Sequence, residues 1–464
     1  MKFFITLLVL MSSAYGKYNI LFISADDLNN DIGPYGNTFV KTPNLDRLAK
    51  MSTTFTKAYC QQPLCGPSRA SVMSGLRPNT SKCYKLNDKI REKVPDVVTL
   101  PQYFMKKGYF SGRAGKIYHY NNPAGIGSDG ADDVLSWQQR HNPVGIDKKH
   151  EEKIIRFPGH KNGTKGQLGI SMSYWDPVSE DEEHTDGMVT SKTIEMIENN
   201  KDIPFFVACG FFRPHCPYVA PKKYFDLYPM ESIELENFSE AIKDLDDVPP
   251  MALTKSGKYK HRANHEQAKK CKQAYYASIS FLDAQVGRLL DCLEENHLLE
   301  KTIIVFWSDH GYFLGEKGLW YKAKNFERAL LSPMMISIPG QKANKFEQPV
   351  ELLDIYPTLI DASFDEAYDK LDGESLVSYM KNPKKERLAP AISQNYYTVD
   401  KQGYSIRSQR WRYTEWMEGD AGLELYDHNN DPEEKVNLAQ KPEYASVIKE
   451  LSKELRKHSQ MSIK

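Results

Sequence analysis

The chain has 464 residues, long enough to bury a large core and longer than most single domains. Its 61 basic and 61 acidic side chains cancel to a formal net charge of zero. A nucleic-acid-binding protein normally carries a basic excess, so this balance disfavours that class while leaving room for a local basic pocket. One large domain with a smaller one is the expected organisation.

The first sixteen residues, MKFFITLLVLMSSAYG, combine one lysine, an apolar run and small residues around Ala14 and Gly16. This pattern is typical of a secretory signal peptide and is too short for a membrane anchor. We therefore predict a signal peptide over residues 1–16, no membrane span in the mature chain, and export to the periplasm or the medium.

The seven cysteines are an odd number for an exported chain: Cys60, Cys65, Cys83, Cys209, Cys216, Cys271 and Cys292. If Cys65 is chemically modified, six remain that could pair, and the sequence does not specify their connectivity. No C-x-x-C pair occurs, which argues against a structural zinc site.

Two apolar segments, residues 18–24 and 302–308, are predicted to be buried strands of a parallel sheet. Ligand sites in such sheets lie beyond the carboxyl ends of the strands. Each segment runs into two candidate metal ligands: Asp26 and Asp27 after the first, Asp309 and His310 after the second. Adjacent aspartates repel each other unless a cation neutralises them, so we predict a hard divalent cation, with calcium favoured over magnesium.

A thiol, a proline, a hydroxyl and an arginine follow closely from Cys65 to Arg69, and small residues continue to Gly75. Proline at a first helical position fixes φ, so Pro67 predicts a helix that carries Cys65 at its mouth and ends before Pro78. The free N–H groups and dipole of such a helix attract an anion, and Arg69 can reach the same point. A thiol buried only for packing is the alternative.

The extended pattern C-x-P-S-R-A-S-x-x-S-G-x-x-P closely resembles the signature of type I sulfatases. In that family a maturation enzyme oxidises the cysteine to formylglycine. The resemblance therefore implies a formylglycine at residue 65, a maturation enzyme as partner, and a calcium ion held by Asp26, Asp27, Asp309, His310 and residue 65. Because His310 is a softer ligand than calcium prefers, its alternative role is to hold the sulfate or the hydrated aldehyde.

Three further motifs match the same family. G-K-x-x-H supplies Lys116 and His119, R-P-H-x-P supplies His215, and G-E-x-G-x-W-x-K-x-x-N-F supplies Lys322. The resemblance implies that Lys116 and His119 hydrogen-bond the formylglycine hydrate, that His215 approaches the leaving-group oxygen, and that Lys322 binds sulfate. Lys324, in the same motif as Lys322, is predicted to be a surface residue.

The implied reaction is hydrolysis of a sulfate monoester. The cation, the helix mouth, Arg69, Lys116 and Lys322 would neutralise the growing charge while a hydroxyl of the hydrated aldehyde attacks sulfur. His215 would protonate the departing oxygen, and His119 would then take a proton from the remaining hydroxyl so that sulfate is expelled.

The predicted fold is α/β. The resemblance implies an alkaline-phosphatase-like architecture: a large, mostly parallel mixed sheet flanked by helices. Alternating residues, a turn and a final amphipathic helix after about residue 388 predict a smaller antiparallel sheet with one helix. We therefore divide the mature chain into a catalytic domain over residues 17–387 and a C-terminal subdomain over residues 388–464.

Within the family the chain looks closest to iduronate-2-sulfatase-like members, because of its A-D-D-L, Gln61-Gln62 and G-Y-S-I-R sequences. That likeness implies a sulfated sugar as substrate, such as a uronate 2-O-sulfate in a glycosaminoglycan or an algal polysaccharide. The irregular stretch 121–190 is predicted to be a long loop region over the site that sets specificity. Two alternatives stay open: a phosphoesterase or phosphonate hydrolase of the same superfamily, and a catalytically silent carbohydrate-binding relative.

Overall fold

The computed structural model describes residues 18–157, 168–254 and 263–460. The predicted signal peptide lies outside these ranges and stays a prediction. None of the helices in the described ranges combines the length and the apolar character that crossing a bilayer requires. All seven cysteines fall within these ranges, and each is a buried free thiol, so the six that remain beside Cys65 do not pair.

A mixed sheet of nine strands forms the centre of the described structure. From edge to edge its strands are Asn344–Phe346, Thr53–Tyr59, Leu331–Ser337, Thr302–Ser308, Asn19–Asp26, Phe205–Pro214, Phe110–Gly115 and Gln139–His141, with Val350–Glu351 also paired to Thr53–Tyr59. Leu331–Ser337 runs antiparallel to both of its neighbours, whereas the other pairings are parallel. The predicted large, mostly parallel sheet is thus confirmed.

Helices cover both faces of this sheet. In the described part of the chain, the helices of seven residues or more are Pro43–Ala49, Cys65–Ser74, Leu100–Lys106, Thr185–Asn200, His265–Glu295, Ile355–Phe364 and Ala445–Gln460, the last of which packs on a second sheet instead. The four- and five-residue helices are Pro78–Ser81, Ile90–Lys93, Ile146–Lys149, Lys222–Phe225, Phe238–Ala241, Glu327–Leu330 and Val377–Lys381. Alternate residues of the central strand Asn19–Asp26 enter two different cores, because successive side chains of a strand point to opposite faces. Ile20 and Phe22 pack on the side of the helix Cys65–Ser74, while Leu21 and Ile23 pack under His265–Glu295.

A second sheet follows the large one in the chain. Its strands Ala391–Thr398, Lys401–Arg407, Trp411–Trp416 and Leu423–Asp427 pair consecutively and antiparallel. The last long helix packs on this sheet through Leu451 and Leu455. This confirms the predicted antiparallel sheet with one helix, while the domain boundary at residue 388 stays a prediction.

The helix that carries Cys65, here called the signature helix, begins and ends at different residues from those predicted. It spans Cys65–Ser74, so Cys65 is its first residue and Pro67 its third. It ends because Gly75 adopts a left-handed conformation with φ of 68°, and Pro78 begins a separate short helix. The predicted position of Cys65 at the helix mouth is correct.

The stretch 121–190 is less irregular than predicted. It contains the edge strand Gln139–His141, the short strand Ser173–Trp175 and the start of the helix Thr185–Asn200. Residues 158–167 lie outside the described ranges. The long helix His265–Glu295 starts with a capping box formed by Asn264 and Gln267.

Candidate active site

The predicted metal ligands and Cys65 meet at the carboxyl ends of two central strands of the large sheet. The Sγ atom of Cys65 lies 3.4 Å from His310 Nε2 and 3.8 Å from Asp27 Oδ1. His310 Nε2 lies 3.4 Å from Asp27 Oδ1 and 3.7 Å from Asp309 Oδ1. Asp26 joins the same group, and all of these side chains are buried. The helix mouth and the two strand ends are therefore in direct contact.

Strand register brings these residues together. Asn19–Asp26 and Thr302–Ser308 are neighbouring parallel strands, so their carboxyl ends lie side by side. The backbone N–H of Asp27 donates to Asp309 Oδ1 at 3.1 Å, and the Tyr275 hydroxyl donates to the carbonyl of Asp27 at 2.7 Å. Asp27 has a left-handed backbone with φ of 63°. Such strain in a non-glycine residue persists where the surroundings hold it, often at functional sites.

Two lysines neutralise part of this acidic group. The Nζ atom of Lys116 pairs with Asp26, and that of Lys322 pairs with Asp27. Burial alone would raise the pKa of Asp26, but Lys116 and the other nearby cations hold it well below its usual value. For Asp27, burial outweighs the opposing effect of Lys322 and raises the pKa. The two adjacent aspartates therefore have unlike environments.

The guanidinium of Arg69 is used differently from what the sequence predicts. It donates to Asp309 Oδ2 at 2.9 Å and to the carbonyl oxygens of Ala25, Lys116 and Ile117 at 2.7–3.1 Å. The side chain is fully buried. Arg69 thus fixes a carboxylate and the ends of two strands, and its donors are directed at protein atoms rather than at the cavity.

The two predicted catalytic histidines lie on the cavity side of this group. The Nδ1 atom of His215 lies 2.6 Å from the carbonyl of Cys216, so Nδ1 carries the proton, and its Nε2 lies 3.6 Å from Asp27 Oδ2. His119 Nε2 lies 3.2 Å from Asn121 Oδ1. Burial lowers the pKa of both imidazoles well below the usual value, and for His119 the nearby Lys116 adds to this effect.

A buried network, missed by the sequence analysis, holds the loop that presents His215. Arg213 pairs with Asp147 at 2.6 Å, and both side chains are buried. Asp186 accepts the backbone N–H groups of Phe212 and Arg213 at 2.9 Å each, and burial raises the pKa of Asp186 to about 6. The long sequence separations among these residues explain why no motif revealed them.

The oxygen ligands of the site fit a hard divalent cation. Asp26 Oδ1 and Asp27 Oδ2 are buried and accept no hydrogen bond within the described part of the chain. Buried carboxylate oxygens without a donor are costly unless a cation compensates them. With Asp309, they supply the oxygen atoms that calcium prefers. His310 would be the softer member of the set, as the sequence analysis anticipated.

A cavity of about 820 Å³ opens beside this group. Cys65, His119, His215 and Lys322 line it. Lys322 stands between Tyr321 and Ala323, whose φ values of 72° and 69° are left-handed, so the loop that presents this lysine is strained. The predicted nucleophile position, both histidines and Lys322 therefore face a single space.

Other cavity-lining residues were not foreseen. Lys324, predicted to be a surface residue, is only 5% exposed; it lines the cavity and donates to the carbonyl of Thr254 at 2.7 Å. Asn395, Tyr396 and Tyr397, from the C-terminal sheet, form part of the wall. No local sequence motif marks these residues, since they reach the cavity only through the packing of the second sheet.

Comparison with known proteins identifies the family. The sulfatase family model matches residues 18–364, and a model described as the C-terminal region of N-sulphoglucosamine sulphohydrolase matches residues 315–461. A sulfatase of Formosa agariphila is 38% identical over 94% of this chain and 85% of its own length. Human iduronate 2-sulfatase is 35% identical over 72% of this chain and 62% of its own length.

Among solved structures, the phosphonate monoester hydrolase of Agrobacterium radiobacter superposes with a TM-score of 0.78, covering 96% of each chain at 22% identity. At that identity the likeness describes the fold alone, which is the alkaline-phosphatase-like architecture that the sequence predicts. The family match spans most of the chain, and the relatives matched at higher identity are sulfatases. This chain therefore belongs to the sulfatase family and is a sulfuric ester hydrolase.

Proposed function

We propose that the protein hydrolyses a sulfate monoester of a sulfated sugar at the cavity beside Cys65. The observation that carries the proposal is the meeting of the signature helix with the two acidic strand ends, with Lys322, His119 and His215 facing the same space. A sulfate ester is a stable anion, so a site that gathers positive charge around one anion-binding point lowers its hydrolysis barrier.

Cys65 is the residue we assign to the nucleophile after its oxidation to formylglycine. Burial raises the pKa of the unmodified Cys65 thiol well above its usual value, which leaves it protonated and a poor nucleophile. The hydrated aldehyde would supply an attacking hydroxyl at this position. A formylglycine-generating maturation enzyme is therefore a required partner.

The remaining residues divide into anion binding, support and proton transfer. Asp26, Asp27, Asp309 and His310 would hold calcium, which when bound adds positive charge beside the ester oxygens. Lys322 reaches the cavity directly, whereas Arg69 and Lys116 hold the aspartates in place. Arg69 and Lys116 thus act as positioning residues.

The histidines are assigned to proton transfer. Because Nδ1 of His215 donates to a carbonyl, its Nε2 is the atom that exchanges a proton with the leaving oxygen. A bound sulfate anion and Asp27 would both favour the protonated form that a general acid needs. His119, whose pKa is lowered by burial, is neutral and suited to accept a proton from residue 65.

The substrate is proposed from the likeness to iduronate 2-sulfatase at 35% identity. A uronate 2-O-sulfate within a glycosaminoglycan or an algal polysaccharide is the chemical class we favour. Such polymers lie outside the cytoplasm, consistent with the export that the first sixteen residues predict.

The deciding experiment assays protein produced together with a maturation enzyme. We expect release of sulfate from 2-sulfated uronate disaccharides, no release by Cys65→Ala, and a formylglycine mass in the peptide containing residue 65. Faster turnover of aryl phosphates or phosphonate monoesters would instead support the phosphonate hydrolase alternative, which the shared fold keeps open. Disaccharide binding without hydrolysis by the matured protein would identify a silent relative.

A further inference from the structure

The cavity beside Cys65 is much larger than a sulfate group needs. Its volume is about 820 Å³. Pockets that enclose small organic ligands measure about 300–1,000 Å³, so this cavity has the size of a site for a whole organic ligand. The space beyond the sulfate position therefore accommodates the organic part of the ester, and its lining determines which esters fit.

Two tyrosines form one aromatic wall of this space. The rings of Tyr84 and Tyr396 stack with centroids 4.2 Å apart and an interplanar angle of 18°. Both are half-buried and line the cavity. The Tyr84 hydroxyl donates to Asn79 Oδ1 at 3.2 Å, which fixes that ring. Tyr84 follows the signature helix and Tyr396 belongs to the C-terminal sheet, so this tyrosine wall is built from both parts of the molecule.

An amide beside His215 provides a buried acceptor. The Nδ2 atom of Asn122 donates to the carbonyl of Cys216 at 3.2 Å, which orients the amide. Its Oδ1 accepts no hydrogen bond from any residue that the structure describes, although the side chain is only 4% exposed and lines the cavity. Leaving a buried acceptor unpaired is costly, so this oxygen suits a donor brought by the ligand.

We propose that the tyrosine wall and Asn122 form the subsite for the sugar ring that carries the sulfate. The C–H face of a sugar ring is apolar and packs against aromatic rings, while its hydroxyls donate to an amide oxygen. An aryl sulfate offers a ring without hydroxyls, and a simple alkyl sulfate offers neither. The subsite therefore makes the enzyme selective for sulfated saccharides. This inference rests on the proposed function.

The test compares three variants, Tyr84→Ala, Tyr396→Ala and Asn122→Ala, with the unaltered protein. For each, kcat/KM is measured with a 2-sulfated uronate disaccharide and with a simple alkyl sulfate such as ethyl sulfate, which has neither a ring nor hydroxyls. We expect the ratio of the disaccharide value to the alkyl value to fall roughly tenfold in each variant, mainly through KM, as loss of a ligand contact predicts. Tyr444→Ala is the matched control, since this half-buried tyrosine packs on Trp411 and does not line the cavity.

A ratio that stays within about threefold in all three variants would overturn the subsite, as would an equal fall in Tyr444→Ala. Calorimetric binding of the disaccharide to Cys65→Ala, with and without Tyr396→Ala, tests the subsite independently of hydrolysis. Tenfold weaker binding in the double variant supports the subsite, and unchanged binding contradicts it. Failure of the matured protein to hydrolyse any sulfate ester would count against the proposed function alone.

Discussion

Two buried clusters of charged side chains in this molecule look alike in composition and differ in how completely they are paired. The strand-end cluster consists of Asp26, Asp27 and Asp309 with the cations around them. The joint cluster lies between the large sheet and the C-terminal sheet and consists of Glu327, Glu434, Arg407, Arg412 and His428. In the strand-end cluster two groups of potential metal-ligating atoms share Cys65: one with Asp26, Asp27 and His215, the other with Asp309 and His310. In the joint cluster one group consists of Glu327, His428 and Glu434, and within each group the atoms lie within 4.8 Å of one another.

In the joint cluster every carboxylate oxygen accepts a hydrogen bond. Glu327 accepts from Tyr59 at 2.7 Å and from Arg407 and Arg412, and Glu434 accepts from Arg412 at 2.6 Å and from the backbone N–H of Glu327 at 2.7 Å. The two arginines hold the pKa of Glu327 below its usual value in spite of burial. This cluster is therefore closed and joins the two sheets.

The strand-end cluster is left open. Asp26 Oδ1 and Asp27 Oδ2 accept no hydrogen bond from the described residues, and the nitrogen atoms of Arg69 and His215 that face them lie 3.5 and 3.6 Å away. Asp27 also has a strained backbone. Full pairing stabilises a fold, whereas incomplete pairing keeps atoms available for a ligand. Carboxylate oxygens without a hydrogen bond, rather than the number of acidic residues, therefore distinguish the candidate metal centre from a structural ionic joint.

The largest expected effect concerns turnover at the open cluster. Cys65→Ala should lower sulfate release by roughly 10⁴-fold or more, because it removes the group that reacts. The melting temperature should stay close to that of the unaltered protein. Cys60→Ala, a buried thiol that does not line the cavity, is the control and should retain activity. Comparable losses in both variants would contradict the assignment.

The second prediction concerns the removal of an arginine from the joint cluster. Arg412→Ala removes the cation that the buried carboxylates of Glu327 and Glu434 share and should lower the free energy of unfolding by about 3–5 kcal/mol. Arg410→Ala, in the turn before the strand Trp411–Trp416, removes an ion pair between an exposed guanidinium and Asp427 and should cost far less. Urea unfolding of the two variants measures the difference, and equal losses would show that the joint cluster does not hold the sheets together.

A third prediction uses a buried carboxyl next to the joint cluster. Burial raises the pKa of Glu424 to about 7 from its usual 4.5, while Trp416 and Tyr426 donate to it. The folded state thus holds the proton more tightly, so this contribution to stability is present below pH 4.5 and is lost as the pH rises through 7. Glu424→Gln should match the unaltered protein at pH 4.5 and exceed its unfolding free energy by about 3 kcal/mol at pH 8. Urea unfolding at both pH values measures the difference in unfolding free energy between the two proteins. A difference that is the same at pH 4.5 and pH 8 would refute the raised pKa of Glu424.

The smallest expected effect is calcium-dependent stability. Calcium at 100 times its dissociation constant should add about 2.7 kcal/mol to the free energy of unfolding and raise the melting temperature by about 2–4 °C. Asp309→Asn should abolish the rise, whereas Glu434→Gln should keep it, because the joint cluster has no open oxygen. Thermal unfolding with and without calcium measures the rise in melting temperature. A rise that is lost in Glu434→Gln and kept in Asp309→Asn would instead place the calcium site in the joint cluster.

Much of the candidate site could be predicted because its residues sit at positions that local rules constrain. Asp26 and Asp309 follow continuous apolar strands, and the carboxyl ends of adjacent parallel strands must meet. Gly75 and the proline-rich segment around His215 likewise mark where elements end. Arg69 was misjudged because its motif reveals its residue type but not that nearby carbonyls would take up its guanidinium.

The amino-acid sequence by itself determined the alternation of strands and helices, the two sheets and the family signature, since each depends on residues close together in the chain. Only the tertiary structure decided which carboxylate oxygens accept no hydrogen bond, that Lys324 is buried, and that Tyr396 reaches the cavity to stack on Tyr84. These features depend on contacts between segments up to about three hundred residues apart, and side-chain pairing at that separation is set by packing rather than by any local pattern.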